Sequence, residues 1–85
     1  MDSYEILKKQ YLKIIENQLK IKEPPEVTTT YKRLLGLGIE KKRAKLMLAD
    51  CLQIEMMTIF KEDKEFDPQR FAKLLNKLPN DPYKD

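Results

Sequence analysis

The chain has 85 residues, 41% of them hydrophobic and 36% charged, with only two glycines and no histidine. That length sets one small domain, and a composition rich in Lys, Glu and Leu suits an all-α protein. The missing histidine removes the Ser-His-Asp triad, the Cys-His pair, the HExxH motif and most zinc sites.

Net charge is +3, from 17 basic and 14 acidic residues. That balance permits an anionic partner without demanding one. The one cysteine, Cys51, sits inside an apolar segment and cannot form an internal disulfide. It points to a reducing, cytoplasmic setting. Met1 is followed at once by Asp2 and Glu5 rather than by the basic start and apolar run of a signal peptide. The longest uncharged run in the central segment, Leu46–Ala49, is far too short to cross a membrane, so no membrane partner is expected.

Asp2 with Glu5 reads as a capping box that opens a first helix over about Ser3–Ile21. Tyr4, Leu7, Tyr11, Ile14, Ile15 and Gln18 recur at three- and four-residue steps and form its expected inward face. Glu23-Pro24-Pro25 stops it, because neither proline can donate a backbone hydrogen bond. Pro25 with Glu26 then starts a second helix over about Pro25–Leu37. Val27, Thr30, Tyr31, Leu34 and Leu35 face inward there. The β-branched run Thr28-Thr29-Thr30 competes as a strand, but no second strand exists to pair with it. Gly38 is the better of the two glycines for a left-handed residue just past this helix.

A third helix over about Glu40–Glu62 organises the rest. Plotted at 100° per residue, its apolar positions go most of the way round the axis, so other helices or a second copy of the chain must surround it. It divides into an Ala44-Leu48-Cys51 face for its own chain and a Leu46-Ala49-Met56-Phe60 face for a further layer or a partner. Asp67-Pro68 opens a fourth helix over about Pro68–Leu78, with Asp67 as cap and Phe66 and Phe71 as a hydrophobic staple. Phe71, Leu74, Leu75 and Leu78 are its buried positions. Pro79 and Pro82 end it, and residues 79–85 are expected to be a disordered tail. The expectation is thus a single helical domain over residues 1–85, a four-helix bundle-like fold with a long central third helix.

Glu55 stands on the most apolar side of that helix. As a functional group it would be a buried carboxylate acting as a base or a metal ligand. As a structural group it would bond a tyrosine (Tyr4, Tyr11 or Tyr31) or pair with a lysine of the first helix, and the structural reading is the commoner one. Glu16 approaches it if the first and third helices pack together. A two-carboxylate metal site in a bundle ordinarily adds histidines at Glu-x-x-His spacing, which this chain lacks. Lys41, Lys42, Arg43 and Lys45 crowd the start of the third helix and form a candidate anion or nucleic-acid patch. Against that, the helix is too long for a recognition helix, it lacks Asn, Gln and Ser side chains to read bases, and Glu40 sits at its tip. Met47, Met56 and Met57 could line a soft peptide groove or simply be core.

The pieces Ile15-Glu16-Asn17-Gln18-Leu19, Pro24-Pro25-Glu26-Val27, Tyr31-x-Arg33-Leu34-Leu35-x-x-Gly38 and Phe66-Asp67-x-x-Arg70 resemble an uncharacterised bacterial family of small helical domains. The resemblance runs from about Tyr11 to Leu78 and implies a small helical domain of the bacterial cytoplasm, with no established activity. It also implies histidines on the first helix and near the start of the long one. Here Lys41–Leu46 holds lysines and leucine instead. The function expected from the sequence is a non-catalytic protein-interaction or dimerisation module with no cofactor or metal. Nucleic-acid binding and a carboxylate metal site that has lost its histidines are the alternatives.

Overall fold

The computed structural model describes residues 3–84, with side chains from Ile6 onward. The chain is all-α, in the order α1 (Ser3–Ile21), α2 (Pro25–Gly36), α3 (Lys41–Glu62) and α4 (Pro68–Lys77). The expected capping box of Asp2 and Glu5, and the inward position of Tyr4, lie outside the described side chains.

Local chemistry sets the helix ends. Pro25 occupies the first position of α2, where a missing N–H costs nothing. The end of α2 is a Schellman turn: Ile39 N–H donates to Leu34 O (3.2 Å) and Gly38 N–H to Leu35 O (3.0 Å). Gly38 takes φ 88°, a left-handed value that suits a residue without Cβ. Ile39 then packs against the core, which turns the chain directly into α3. The ends of α1 and α3 use the same left-handed turn without glycine, at Lys22 (φ 61°) and Asp63 (φ 52°). At α4, the Asp67 side chain accepts from Gln69 N–H (2.9 Å) and Arg70 N–H (3.3 Å). Phe66 stacks on Phe71 with ring centroids 5.7 Å apart, which is the expected staple.

One core joins all four helices. Ile15, Val27, Leu34, Leu48, Cys51, Phe71, Leu75 and Leu78 are its buried centre. Helices α1, α2 and α4 all pack on α3. The orientation of α1 follows from two ion pairs, Lys8 to Asp50 and Glu16 to Lys45. Moving up α1 means moving down α3, so the two are antiparallel. Asp50 and Lys45 stand about 140° apart around α3, with Leu46, Ala49 and Gln53 between them. A helix that pairs with both must lie over that stripe.

Of the further layer or partner expected at Leu46, Ala49, Met56 and Phe60, α1 supplies the layer. Ala49 is fully buried, and Met56 packs against the chain's own core. Leu46 is half-buried, and Phe60, 75% exposed, is the member of the set left open. The face is apolar because α1 covers it. The inward face expected for α1 is also half right. Ile15 is buried and Tyr11 and Gln18 partly so, but Leu7 and Ile14 lie on an outer flank.

The expected disordered tail is folded over residues 79–84. Asn80 N–H donates to Lys77 O (2.9 Å) and Lys84 N–H to Asp81 O (3.2 Å). The Asp81 side chain accepts from Tyr83 N–H at 2.9 Å. Pro82 is buried. An apolar ring pressed on the core sustains a segment whose polar composition alone reads as a loose end.

A left-handed lysine carries a Cβ clash that glycine does not. Lys22→Gly is therefore expected to stabilise the fold by about 0.5 kcal/mol, net of the added freedom of glycine in the unfolded chain. Urea unfolding followed by circular dichroism measures it.

Candidate functional site

Glu55 is the most unusual side chain in the core. It is fully buried, one turn beyond Cys51 on the side of α3 that meets α4. A carboxylate in that position needs every lone pair engaged. Arg70 answers with a two-point fork: Nε donates to Oε1 at 2.7 Å and Nη2 to Oε2 at 2.6 Å. The backbone N–H of Asp67 donates to Oε2 at 3.1 Å. The outer side of the guanidinium donates to Glu65 O at 3.0 Å, which ties down the connector. Donating its hydrogen bonds to Glu55 holds the guanidinium's pKa above its ordinary value, so Arg70 stays charged.

In a capping box the third helical residue supplies the carboxylate that accepts the cap's N–H. Here that residue is Arg70, and the carboxylate comes from α3 instead. Glu55 thus does the capping work across a helix boundary. The expected partners, a tyrosine or a lysine of α1, are replaced by an arginine of α4. The sequence contained the signal, since Asp67 and Arg70 belong to one short pattern, but nothing local in it points that pattern at Glu55. With both oxygens engaged and no solvent access, the carboxylate is fully occupied by structure.

Glu16 is not part of this site. Its side chain is half exposed and reaches Lys45 at 3.5 Å. The antiparallel register places Glu16 level with Lys45, ten residues from Glu55, or about 15 Å of helix rise. The two carboxylates expected to come together are kept apart. Among the described residues there is no group of three or more His, Cys, Asp or Glu side chains that could hold a metal.

The basic start of α3 divides in the same way. Lys41, Lys42 and Arg43 are exposed, while Lys45 is half-buried and paired with Glu16. Glu40 precedes them without making a side-chain cap. No described helix is long and apolar enough to cross a membrane.

Cys51 is insulated. Burial, reinforced by the Asp50 carboxylate and offset in part by Lys77, pushes its thiol up to about 12. At neutral pH almost none of it is thiolate, the form that attacks or binds metal.

The open surface lies elsewhere on α3. Two shallow grooves run along the stripe from Arg43 to Lys61. One, of about 370 Å³, is lined by Lys8, Arg43, Met47, Asp50 and the chain from Leu78 to Tyr83. The other, of about 350 Å³, is lined by Ile54, Met57, Thr58, Lys61, Glu62, Leu74 and Lys77, again with Pro82 and Tyr83. Pro82 and Tyr83 belong to both. The two grooves are therefore one trough, walled by α1 and α4 and bridged midway by the folded tail. Met47 and Met57 line it; Met47 also packs against the core, as does Met56, which lines neither groove.

The chain matches no protein-family model, no curated protein and no solved structure.

Two measurements follow from Glu55 and Cys51. Arg70→Met strands a buried carboxylate, so it is expected to lower the urea midpoint more than Glu55→Met does. The double substitution, leaving two apolar side chains, should recover part of that loss. For Cys51, the unfolded chain gives up its thiol proton above pH 9 while the folded chain holds it up to about pH 12. The unfolded state then binds fewer protons, and stability falls across that window. Cys51→Ala is expected to flatten this part of the stability–pH curve, and native Cys51 should resist Ellman's reagent at pH 8 until denaturant is added.

Proposed function

We propose that this chain is a non-catalytic protein-interaction module whose docking surface is the trough along α3. The observation that carries this reading is the uneven cover of an all-round apolar helix. Helices α1, α2 and α4 enclose three sectors of α3. The fourth, running through Met47, Ile54 and Met57, is spanned only by a six-residue strap, 79–84. Met57 is 43% exposed there. A groove with a methionine-lined floor between two helices is the form of site that accepts a partner helix or peptide.

Three facts about polar groups support the non-catalytic part. Among the described residues, the one buried carboxylate, Glu55, accepts from Arg70 and from the capping Asp67 N–H. The one thiol is held protonated. The second carboxylate of the candidate metal pair sits at the surface with a lysine. The nucleic-acid alternative retains three exposed cations, Lys41, Lys42 and Arg43. They stand on one helix end without the aromatic or amide side chains that read or stack bases.

Met57→Glu tests the reading, because a half-exposed side chain can carry a charge without disturbing the core. Its melting temperature is expected to stay within about 2 °C of the parent chain. In affinity capture from the native host, proteins retained by the parent chain should be lost with Met57→Glu. A capture profile identical for both proteins would remove the trough as the docking surface.

A further inference from the structure

We propose that the trough takes an acidic amphipathic helix, and that the strap of residues 79–84 holds the site closed until such a partner displaces it. The proposal rests on the interaction reading above and adds the partner's chemistry and the means of control.

The charge along the trough is one-sided once its internal pairs are removed. Asp50 is neutralised by Lys8, and Glu62 is paired with Lys64 at 3.1 Å. Arg43 at one end and Lys61 at the other have no ion-pair partner among the described residues. Lys77, on the wall, donates to the strap's own carbonyl at Lys84, at 3.4 Å. The remaining acid among the described lining residues is Asp81, which belongs to the strap and accepts from the strap's own Tyr83 N–H. Lifting the strap therefore carries away an acid and frees a lysine. Among the described residues, the open trough is an apolar floor with three cations outside any ion pair, and an acidic partner complements it where a basic one is repelled.

The dimensions suit a helix. From Arg43 to Lys61 the floor runs about 27 Å at 1.5 Å per residue. The apolar floor positions Met47, Ile54 and Met57, spaced seven and three residues apart, match the anchor rows of a helix laid alongside. A helix there would run into Pro82 and Tyr83, the shared wall of both grooves. Binding and strap closure are mutually exclusive, so the closed fraction lowers the apparent affinity of any partner.

The test uses the full chain and a fluorescein-labelled synthetic amphipathic peptide of about 16 residues, long enough to span most of the trough. It carries leucine at every third or fourth position and glutamate on the other face, with versions bearing lysine or glutamine instead. Fluorescence anisotropy is measured for the parent chain, for Pro82→Asp and Pro82→Gly as strap-opening variants, and for Arg43→Glu/Lys61→Glu. Circular dichroism confirms the fold of each. The glutamate peptide is expected to bind the parent chain weakly and the opened variants about tenfold more tightly. The Arg43→Glu/Lys61→Glu chain should lose that binding, and added salt should weaken it in the others. Equal binding of all three peptides, tighter in the opened variants, would overturn the acidic preference while leaving the interaction reading intact. Equal affinity for parent and folded Pro82 variants would overturn the strap's role. No binding by any folded variant would end both.

Discussion

A carboxylate with no access to water decides how this fold closes. Helix α4 has ten residues, too few to be stable alone. Its first turn is held by Glu55, which takes the Arg70 fork and the N–H of the capping Asp67. Its last turn is held by Arg33 of α2, whose guanidinium donates to Leu78 O at 2.7 Å and Leu75 O at 3.1 Å. Leu75 O also accepts from Leu78 N–H at 3.1 Å, and the Arg33 cation suits the negative end of the helix dipole. Two arginines thus tie one short helix to two longer ones. Apolar burial of Phe71, Leu74 and Leu75 supplies the adhesion, and the polar ties fix where the helix starts and stops.

What the sequence made legible follows from how far apart the interacting residues are. Caps, staples and turns act over a few residues, and Asp67, Phe66 with Phe71, Pro25 and Gly38 all do what their neighbours dictate. The place of Glu55 on the apolar side of α3 was legible too, because angular position depends only on helix period; that the residue is fully buried depends on α4 and was not. Nor was its partner. Arg70 is fifteen residues away, and choosing it over a lysine or tyrosine requires knowing which helix lies against which face. The same gap explains the second face of α3. Periodicity shows that Leu46, Ala49 and Met56 want cover, but not that α1 supplies it. Lys8 reads as a flanking charge and Glu16 as a candidate companion of Glu55 until Asp50 and Lys45 are seen opposite them. The tail was misread for a related reason. Composition records that residues 80–85 are polar but not that one proline ring finds the core.

These placements narrow the chemistry open to the chain. The groups most suited to catalysis or metal binding, Glu55 and Cys51, are the ones the fold withdraws from solvent and reactivity. Among the described residues, Met57, Arg43 and Lys61 stay accessible along one side of α3, and they are the groups on which the proposed interaction reading rests. Under that reading the buried junction matters because it positions the α4 wall of the trough.

The grip of Arg33 on the Leu78 carbonyl bears on how motion is partitioned. Leu78 is the last residue before the strap, and its carbonyl is the final atom of α4 bound to another helix. Beyond it, the backbone hydrogen bonds of the tail run within residues 77–84. The chain therefore passes from a segment tied to two other helices to one held by its own turns, by the buried ring of Pro82 and by the contacts of Tyr83. Amide exchange should change as a step at this residue, with α4 opening only when the whole domain does and the strap exchanging through local opening. Arg33, distant from Met57 in sequence and on another helix, would then act as a mechanical stop. It lets residues 79–84 swing without unwinding the helix they grow from.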